Sequence, residues 1–237
     1  MEGVEPLPSA ECERCRAVVR SDMIQLYLKS GLTAPLKILC LGAHADDIEI
    51  GCGGTILQLA AQYPGTTFQW VVFSAIGVRE AEARCAARLF GGAAIQPLLK
   101  TFPDGFIPFV GADVKTVFEE LKLSVLPDLI FCPWREDAHQ DHRVVSELTW
   151  NTFRNHLILE YEIPKYDGDL GRPNVFVPLE ADLYQKKIQH ILNIFQSQRT
   201  KRWFDEGTFL SLMRIRGMEC NAPSGYAEAF HCRKLVL

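Results

Sequence analysis

The sequence predicts an α/β protein of Rossmann-like type, with a mostly parallel sheet flanked by helices and a less regular C-terminal part. Short apolar runs alternate with helical patterns through about the first 150 residues, which is typical of a parallel sheet covered on both faces. Clusters of histidine and carboxylate residues directly follow two of these runs. No repeat, low-complexity tract or linker interrupts the chain, so we expect a single domain over residues 1–237.

Residues 1–34 are predicted to form an N-terminal helical extension. Cys12 and Cys15 form a CxxC pattern there, but no second CxxC exists to complete a four-sulfur metal site. We therefore expect no metal or redox role for this pair. Four other cysteines lie inside apolar or glycine-rich runs and are predicted to be buried, reduced thiols: Cys40, Cys52, Cys85 and Cys132.

The alternating elements of the first part follow from the spacing of apolar residues. Nearly continuous apolar runs predict strands that are buried on both faces. These strands are expected at 37–43, 68–76, 128–133 and, more weakly, 94–99. Helical spacing between them predicts helices, which are expected at 55–62, 79–89 and 113–123.

The C-terminal part is less regular. Two apolar segments predict strands at 156–163 and 174–178, and the Gly, Asp and Pro residues of 165–173 predict a loop between them. Further elements are expected as an amphipathic helix at 181–198, a second helix at 202–218 and a last strand within 226–237.

Composition excludes several classes of partner. The formal net charge of −4 and a pI near 5.9 provide no basic field, so nucleic acid is not expected as a partner. The acidic, proline-bearing start is unlike a signal peptide, and no apolar run reaches the length that spans a membrane. We expect a cytoplasmic protein without a membrane partner, and a homo-oligomer is left open.

Two polar clusters follow the strands predicted at 37–43 and 128–133. The first contains His44, Asp46 and Asp47, and the second contains His139 and His142. In open α/β sheets the ligand crevice lies beyond the carboxyl ends of the strands. We therefore expect two segments about a hundred residues apart to bring their imidazoles and carboxylates to the same edge of the sheet.

These side chains match the needs of a hydrolytic metal centre. A catalytic zinc ion typically has three protein ligands and an open position for water, and His44, Asp47 and His142 are candidates for the ligands. Asp46, next to a ligand, is the candidate general base that takes a proton from water. The same donors would also accept iron(II) or cobalt(II).

A departing amine also needs a proton, and an imidazole supported by a carboxylate can supply it. His139, with Asp141 two residues later, is the candidate. The alternative is that Asp46 and Asp47 only cap a helix and that the histidines lie on a protein surface. Capping explains one carboxylate, but it does not explain the second carboxylate together with a histidine.

The runs GAHADDIEIGCGGTI and AHQDH resemble the PIG-L/LmbE-like family of zinc-dependent N-deacetylases that act on N-acetylglucosaminyl and related substrates. The resemblance extends through Arg79 and Glu82 to GYAEAF and spans about 37–230, although Ala45 stands where the family usually has proline. It implies that His44, Asp47 and His142 are metal ligands.

The same resemblance implies the remaining roles. Asp46 would be the base, His139 would assist the oxyanion or leaving group, and Arg79 would contact substrate. A guanidinium suits sugar hydroxyls or a phosphate because it carries five donors and stays protonated. The alternative for Arg79 is an ion pair with Glu82, one helical turn away.

Other classes of protein remain as alternatives. The glycines at 51–54 follow a strand as in dinucleotide-binding proteins, but their GxGG spacing and the missing acidic residue do not fit that fingerprint. His44, Asp46 and His142 spell the HxD…H set of non-haem iron oxygenases, although the largest such group is all-β. A non-catalytic sugar-binding protein on the same fold is the third alternative.

The family resemblance and the composition together predict a class of substrate. The family resemblance implies an acetamido sugar, and the lack of a hydrophobic anchor disfavours a glycolipid embedded in a membrane. We expect a soluble amino-sugar substrate, with nucleotide-linked sugars among the candidates.

Overall fold

The computed structural model describes Leu28 and residues 35–236. The predicted N-terminal helix, with Cys12 and Cys15, lies outside these residues. The strands are β1 (Lys37–His44), β2 (Thr67–Ser74), β3 (Leu98–Leu99), β4 (Leu129–Pro133), β5 (Leu157–Tyr161), β6 (Val175–Pro178) and β7 (Ala227–His231). The α-helices are α1 (Asp47–Gln62), α2 (Val78–Gly91), α3 (Gly111–Ser124), α4 (Gln140–Thr152), α5 (Ala181–Ile194) and α6 (Glu206–Glu219).

The predicted α/β class with a mostly parallel sheet is confirmed. Within the described residues, seven strands form one sheet in the order β3-β2-β1-β4-β5-β7-β6. The first five strands pair in parallel, and β7 pairs antiparallel with both β5 and β6. The strand order reverses between β1 and β4, so the crevice of this sheet lies beyond their carboxyl ends.

Both faces of β1 are buried, which explains its continuous apolar sequence. Ile38 and Cys40 pack into the core on one face of the sheet, whereas Leu39 and Leu41 pack into the core on the other. Alternation along the strand sends successive side chains to opposite faces. Helices cover each face, so the six residues of β1 between the exposed Lys37 and His44 are all apolar or small.

Helix α1 begins at Asp47, eight residues before the predicted start at 55. The glycine run explains the error, because glycine has a low helix propensity. The helix forms there because its glycines pack closely against other elements. A Cβ at Gly53 would lie 2.7 Å from the Phe90 ring, and one at Gly54 would lie 2.5 Å from Leu179. The space left by these glycines is therefore filled by neighbouring side chains of the protein and not by a dinucleotide.

Other differences from the predictions are local. The helix α4 begins inside the second polar cluster, contains Asp141 and His142, and was not predicted as an element. The helix predicted at 181–198 ends as an α-helix at Ile194 and is followed by a 3-10 turn at Gln196–Gln198. The helix predicted at 202–218 begins at Glu206. Cys40, Cys52 and Cys132 are buried free thiols, as predicted, but Cys85 is exposed because α2 buries its opposite side.

Among the described residues, no helix combines the length and apolar character needed to cross a membrane.

Candidate metal centre and active site

The two polar clusters meet at the reversal point of the sheet. β1 ends at His44 and leads directly into α1, whereas β4 ends at Pro133 and leads through a short loop into α4. Because β1 and β4 are neighbouring parallel strands, their following loops emerge side by side. The fold thereby places residues from distant parts of the chain in contact.

Three donor atoms form a compact triangle at this point. His44 Nδ1 lies 3.2 Å from His142 Nε2, and Asp47 Oδ2 lies 3.5 Å and 3.4 Å from these two nitrogens. All three residues are buried. Zinc ligands at about 2.0–2.1 Å in a tetrahedral arrangement stand roughly 3.3–3.4 Å apart. The triangle therefore fits three ligands of one tetrahedral zinc ion, with the fourth position open.

The charges of the triangle also suit a cation. Burial opposes ionisation of Asp47, but His142 and His44 outweigh it and hold the pKa of Asp47 well below its ordinary value. Burial disfavours the imidazolium of His142, but Asp47 and Asp137 outweigh it and raise the pKa of His142 to about 9. The site thus has an ionised carboxylate and attracts positive charge, which a metal ion can supply in place of a proton.

The described residues contain two other groups of three donors. Within each group, the donor atoms lie within 4.8 Å of one another. One combines His44, His139 and His142, and shares both histidines of the triangle. The other combines His44 with Asp104 and Asp141. This second group suits a metal less well, because Asp104 is half exposed and both oxygens of Asp141 accept backbone hydrogen bonds.

The carboxylate of Asp141, expected to support His139, makes its hydrogen bonds to groups other than the His139 ring. Its oxygens accept hydrogen bonds from the backbone N–H groups of Gly105 (2.7 Å) and Ile107 (3.2 Å). Asp141 Oδ2 also lies 3.3 Å from His44 Nε2. The helix direction of α4 turns this side chain toward His44, so it orients a predicted metal ligand.

His139 lies at the N-terminus of α4, beside the triangle. Its Nδ1 accepts a hydrogen bond of 3.2 Å from the backbone N–H of Asp141. In a neutral ring, the proton is then on Nε2. Its ring centroid lies 4.8 Å from those of both His44 and His142. Burial and the positive charges of His142 and His44 lower the pKa of His139.

Asp46 lies next to the triangle but takes a different contact. Arg79 Nη2 donates to Asp46 Oδ1 at 2.9 Å, and Asp46 is 4% exposed. Burial raises the pKa of Asp46, and the guanidinium of Arg79 offsets this only in part. The iron-oxygenase alternative needs Asp46 as the third ligand, whereas in the structure Asp47 completes the triangle.

Arg79 does not pair with Glu82, so the structural alternative for this arginine is wrong. The carboxylate of Glu82 accepts hydrogen bonds from the Ser197 backbone N–H (2.9 Å) and hydroxyl (2.6 Å). Arg79 instead bridges Asp46 and Asp104, with Nη1 at 3.0 Å from Asp104 Oδ2. It lies at the start of α2 on the crevice side, where it was expected to contact substrate.

Sequence reasoning missed two carboxylates of the site. Asp104, half exposed at the mouth, lies 3.1 Å from His44 Nε2. Asp137 is buried and its Oδ2 lies 2.9 Å from His142 Nδ1, although the angle is not that of an ideal hydrogen bond. Asp137 stands two residues before His139 in the same polar run, a position that could have indicated it. Nothing local distinguishes Asp104 from a turn residue.

Comparison with known proteins identifies sequence similarity over the region of the two clusters. Residues 39–153 match the family model described as PIG-L, GlcNAc-PI de-N-acetylase. The "uncharacterized deacetylase YaiS" of Escherichia coli K12 is 29% identical over 164 residues, which cover 64% of this chain and 86% of that protein. The region matched by the family model contains His44, Asp47 and His142.

Solved structures share the fold. N,N'-diacetylchitobiose deacetylase from Pyrococcus horikoshii has a TM-score of 0.63 at 21% identity, covering 98% of this chain and 95% of that chain. GalB, the 4-carboxy-2-hydroxymuconate hydratase from Pseudomonas putida KT2440, has a TM-score of 0.62 at 16% identity, covering 85% and 98%. These two named activities differ, so the reaction has to be argued from the residues of the site.

Proposed function

We propose that this chain, whose residues 39–153 match the PIG-L family model, is a metal-dependent N-deacetylase. Its reaction is the hydrolysis of the acetamide of an N-acetylated amino sugar or glycoconjugate, giving acetate and a free amine. The observation that carries the proposal is the triangle of His44 Nδ1, Asp47 Oδ2 and His142 Nε2, with the buried carboxylate of Asp46 beside it.

We assign the metal to His44, Asp47 and His142, with zinc as the first candidate and iron(II) or cobalt(II) as alternatives. When bound, the ion supplies a Lewis acid for the amide carbonyl and makes water more acidic. The second nitrogen of each imidazole lies near a carboxylate, since Asp141 and Asp104 approach His44 and Asp137 approaches His142. Such contacts orient the rings and keep the donor nitrogens directed to one point.

Asp46 is the proposed general base. It accepts a proton from the water that adds to the carbonyl carbon, and its raised pKa makes it a stronger base than an ordinary aspartate. Arg79 keeps the Asp46 carboxylate in place through Oδ1. Asp46 therefore holds a fixed position without being occupied as a metal ligand.

His139 is proposed to donate a hydrogen bond to the developing oxyanion or the leaving group. As the tetrahedral intermediate collapses, the C–N bond breaks and the proton that Asp46 took from water passes to the amine nitrogen. The backbone N–H of Asp141 occupies Nδ1 of His139, so the imidazole acts through Nε2. Its position next to both ligand histidines is suited to the leaving group or to the developing oxyanion.

Arg79 is the proposed substrate contact, because its side chain is 16% exposed and lies at the crevice between Asp46 and the half-exposed Asp104. The favoured substrates are soluble acetamido sugars, including nucleotide-linked ones. The comparison with a diacetylchitobiose deacetylase supports an amino-sugar class without selecting one member.

The proposal is tested by a screen for acetate release. Zinc-loaded protein is incubated with N-acetylated monosaccharides, chito-oligosaccharides and sugar nucleotides, and acetate is measured with a coupled enzyme assay. We expect release from at least one of them, and its loss after metal removal by a chelator. Turnover that persists in the chelated protein would contradict metal dependence, whereas oxoglutarate turnover with iron would favour the oxygenase.

A further inference from the structure

Lys165 lies in the loop at 165–173, outside the residues assigned so far. Its side chain is 10% exposed, and its Nζ lies 2.8 Å from Asp137 Oδ2 and 2.6 Å from Asp169 Oδ2. A third contact, 3.3 Å long, reaches the carbonyl oxygen of Ile163. A lysine ammonium has three donors, and each of these has an acceptor here.

Asp137 stands between Lys165 and a proposed metal ligand. The same Oδ2 atom contacts Lys165 Nζ at 2.8 Å and His142 Nδ1 at 2.9 Å. The other oxygen accepts a hydrogen bond of 2.7 Å from the backbone N–H of His139. Asp137 is 2% exposed, so water cannot replace these partners.

The contact with Asp169 extends the same arrangement to the backbone. Asp169 Oδ2 accepts a hydrogen bond of 2.6 Å from the N–H of Ala138. Lys165 therefore ties together a carboxylate that touches His142 and a carboxylate that holds the residue between Asp137 and His139. The loop is itself anchored, because Glu162 accepts from Gly171 N at 3.0 Å and pairs with Arg216.

We propose that Lys165 is a positioning residue of the metal centre, which holds the Asp137 carboxylate oriented toward His142 Nδ1 and so keeps His142 Nε2 directed at the metal. The inference rests on the proposed function, since it takes His142 as a ligand. Lys165 lies outside the region matched by the family model, residues 39–153. It acts through Asp137 and makes no contact with the reacting atoms.

Asp137 needs Lys165 because burying a carboxylate near other carboxylates costs free energy. Asp137 is buried in a centre that also contains Asp47 and Asp141, and a buried charge requires a partner of opposite sign. Without Lys165, the carboxylate of Asp137 would retain the backbone N–H of His139 and the imidazole of His142 as partners, but it would lose its ammonium partner. The carboxylate would then no longer be held in this orientation, and a turn away from His142 would release His142 Nδ1.

The measurement is the zinc dissociation constant, obtained by competition with a chromophoric chelator. Loss of a carboxylate that orients a ligand histidine typically weakens metal binding about 10–100-fold, and we expect this for Asp137→Asn. Lys165→Met is expected to weaken zinc binding by roughly threefold to thirtyfold, and Lys165→Arg is expected to weaken it by less. The double variant should bind zinc no more weakly than Asp137→Asn alone, because coupled residues are not additive.

Two controls separate the possible failures. Lys186→Met removes an exposed lysine of α5 and should leave the dissociation constant unchanged. His142→Ala tests the proposed function, and tight zinc binding in that variant would reject the assigned centre itself. If His142→Ala loses zinc but Lys165→Met binds it within twofold of the unaltered protein, only the role of Lys165 is refuted.

A purely structural role for the loop gives a different result. Lys165→Met would then lower the melting temperature with an unchanged zinc dissociation constant. Its loss of thermal stability would add to that of Asp137→Asn. If Lys165→Met does not fold, Lys165→Gln retains a polar end and the same comparison applies. If the two substitutions weaken zinc binding additively in the double variant, the proposal is overturned.

Discussion

Replacing Asp46 by asparagine separates the general base from the metal ligands. The substitution keeps the size of the side chain and an oxygen that can accept from Arg79 Nη2, which now donates to Oδ1 at 2.9 Å. It removes the carboxylate that would take the proton from water. Because Asp46 is outside the triangle of donor atoms, we expect the metal to stay bound.

The expected loss of turnover follows from the role of the proton transfer. General-base catalysis contributes about 10²–10⁴ in rate, and each factor of ten corresponds to about 1.36 kcal/mol of activation free energy. The variant should therefore lose roughly 2.7–5.4 kcal/mol of transition-state stabilisation. Stability should not fall, because burial already opposes the charged form of Asp46 and asparagine is neutral.

The assay measures kcat for acetate release and metal content by elemental analysis on the same preparation. Asp47→Ala is the comparison, since it removes a donor atom of the triangle and should lose both metal and turnover. Asp182→Asn, at an exposed position of α5, is the matched control. A change of about twofold or less in kcat for Asp46→Asn, with normal metal content, would refute the assignment of the base.

Three further predictions use other parts of the molecule. His142→Ala should lose the bound divalent ion, and full metal occupancy by elemental analysis would remove His142 from the centre. Arg79→Ala should lower kcat/KM on the identified substrate with unchanged metal content, and unaltered kcat/KM would exclude a substrate contact. Glu228→Gln should leave the Lys187 ammonium, now 2.7 Å from Glu228 Oε1, buried without its charge partner. Breaking such a pair costs about 3–5 kcal/mol, so thermal unfolding should shift down by roughly 6–20 °C; a shift below about 2 °C would contradict this reasoning.

The positions of the strands could be predicted from sequence because burial of both faces leaves a local signal. β1 and β4 are nearly continuous apolar runs, and both end within a residue or so of the predicted positions. The beginning of α1 could not be predicted. Its glycines disfavour a helix locally, and they fit because Phe90 and Leu179 leave no room for a Cβ.

The residues of the candidate site could also be predicted only in part from the sequence. Residue type and position after a strand indicated His44, Asp46, Asp47, His139 and His142, because the donor chemistry of a side chain is a property of the residue itself. The partners of these residues were not indicated. Pairing Asp141 with His139 was reasonable from their closeness in sequence, but closeness in sequence does not determine the direction of a side chain on a helix.

By itself, the sequence determined the α/β class, the two strand ends that carry the polar clusters, and the kinds of donor atoms available there. These depend on local periodicity and on the chemistry of single residues. Only the tertiary structure decided that Asp141 faces His44, that Asp137 connects His142 to Lys165, and that Arg79 holds Asp46. Each of these contacts joins residues whose separation is set by the packing of helices on the sheet, and a carboxylate is stabilised by whichever donor that packing brings within reach.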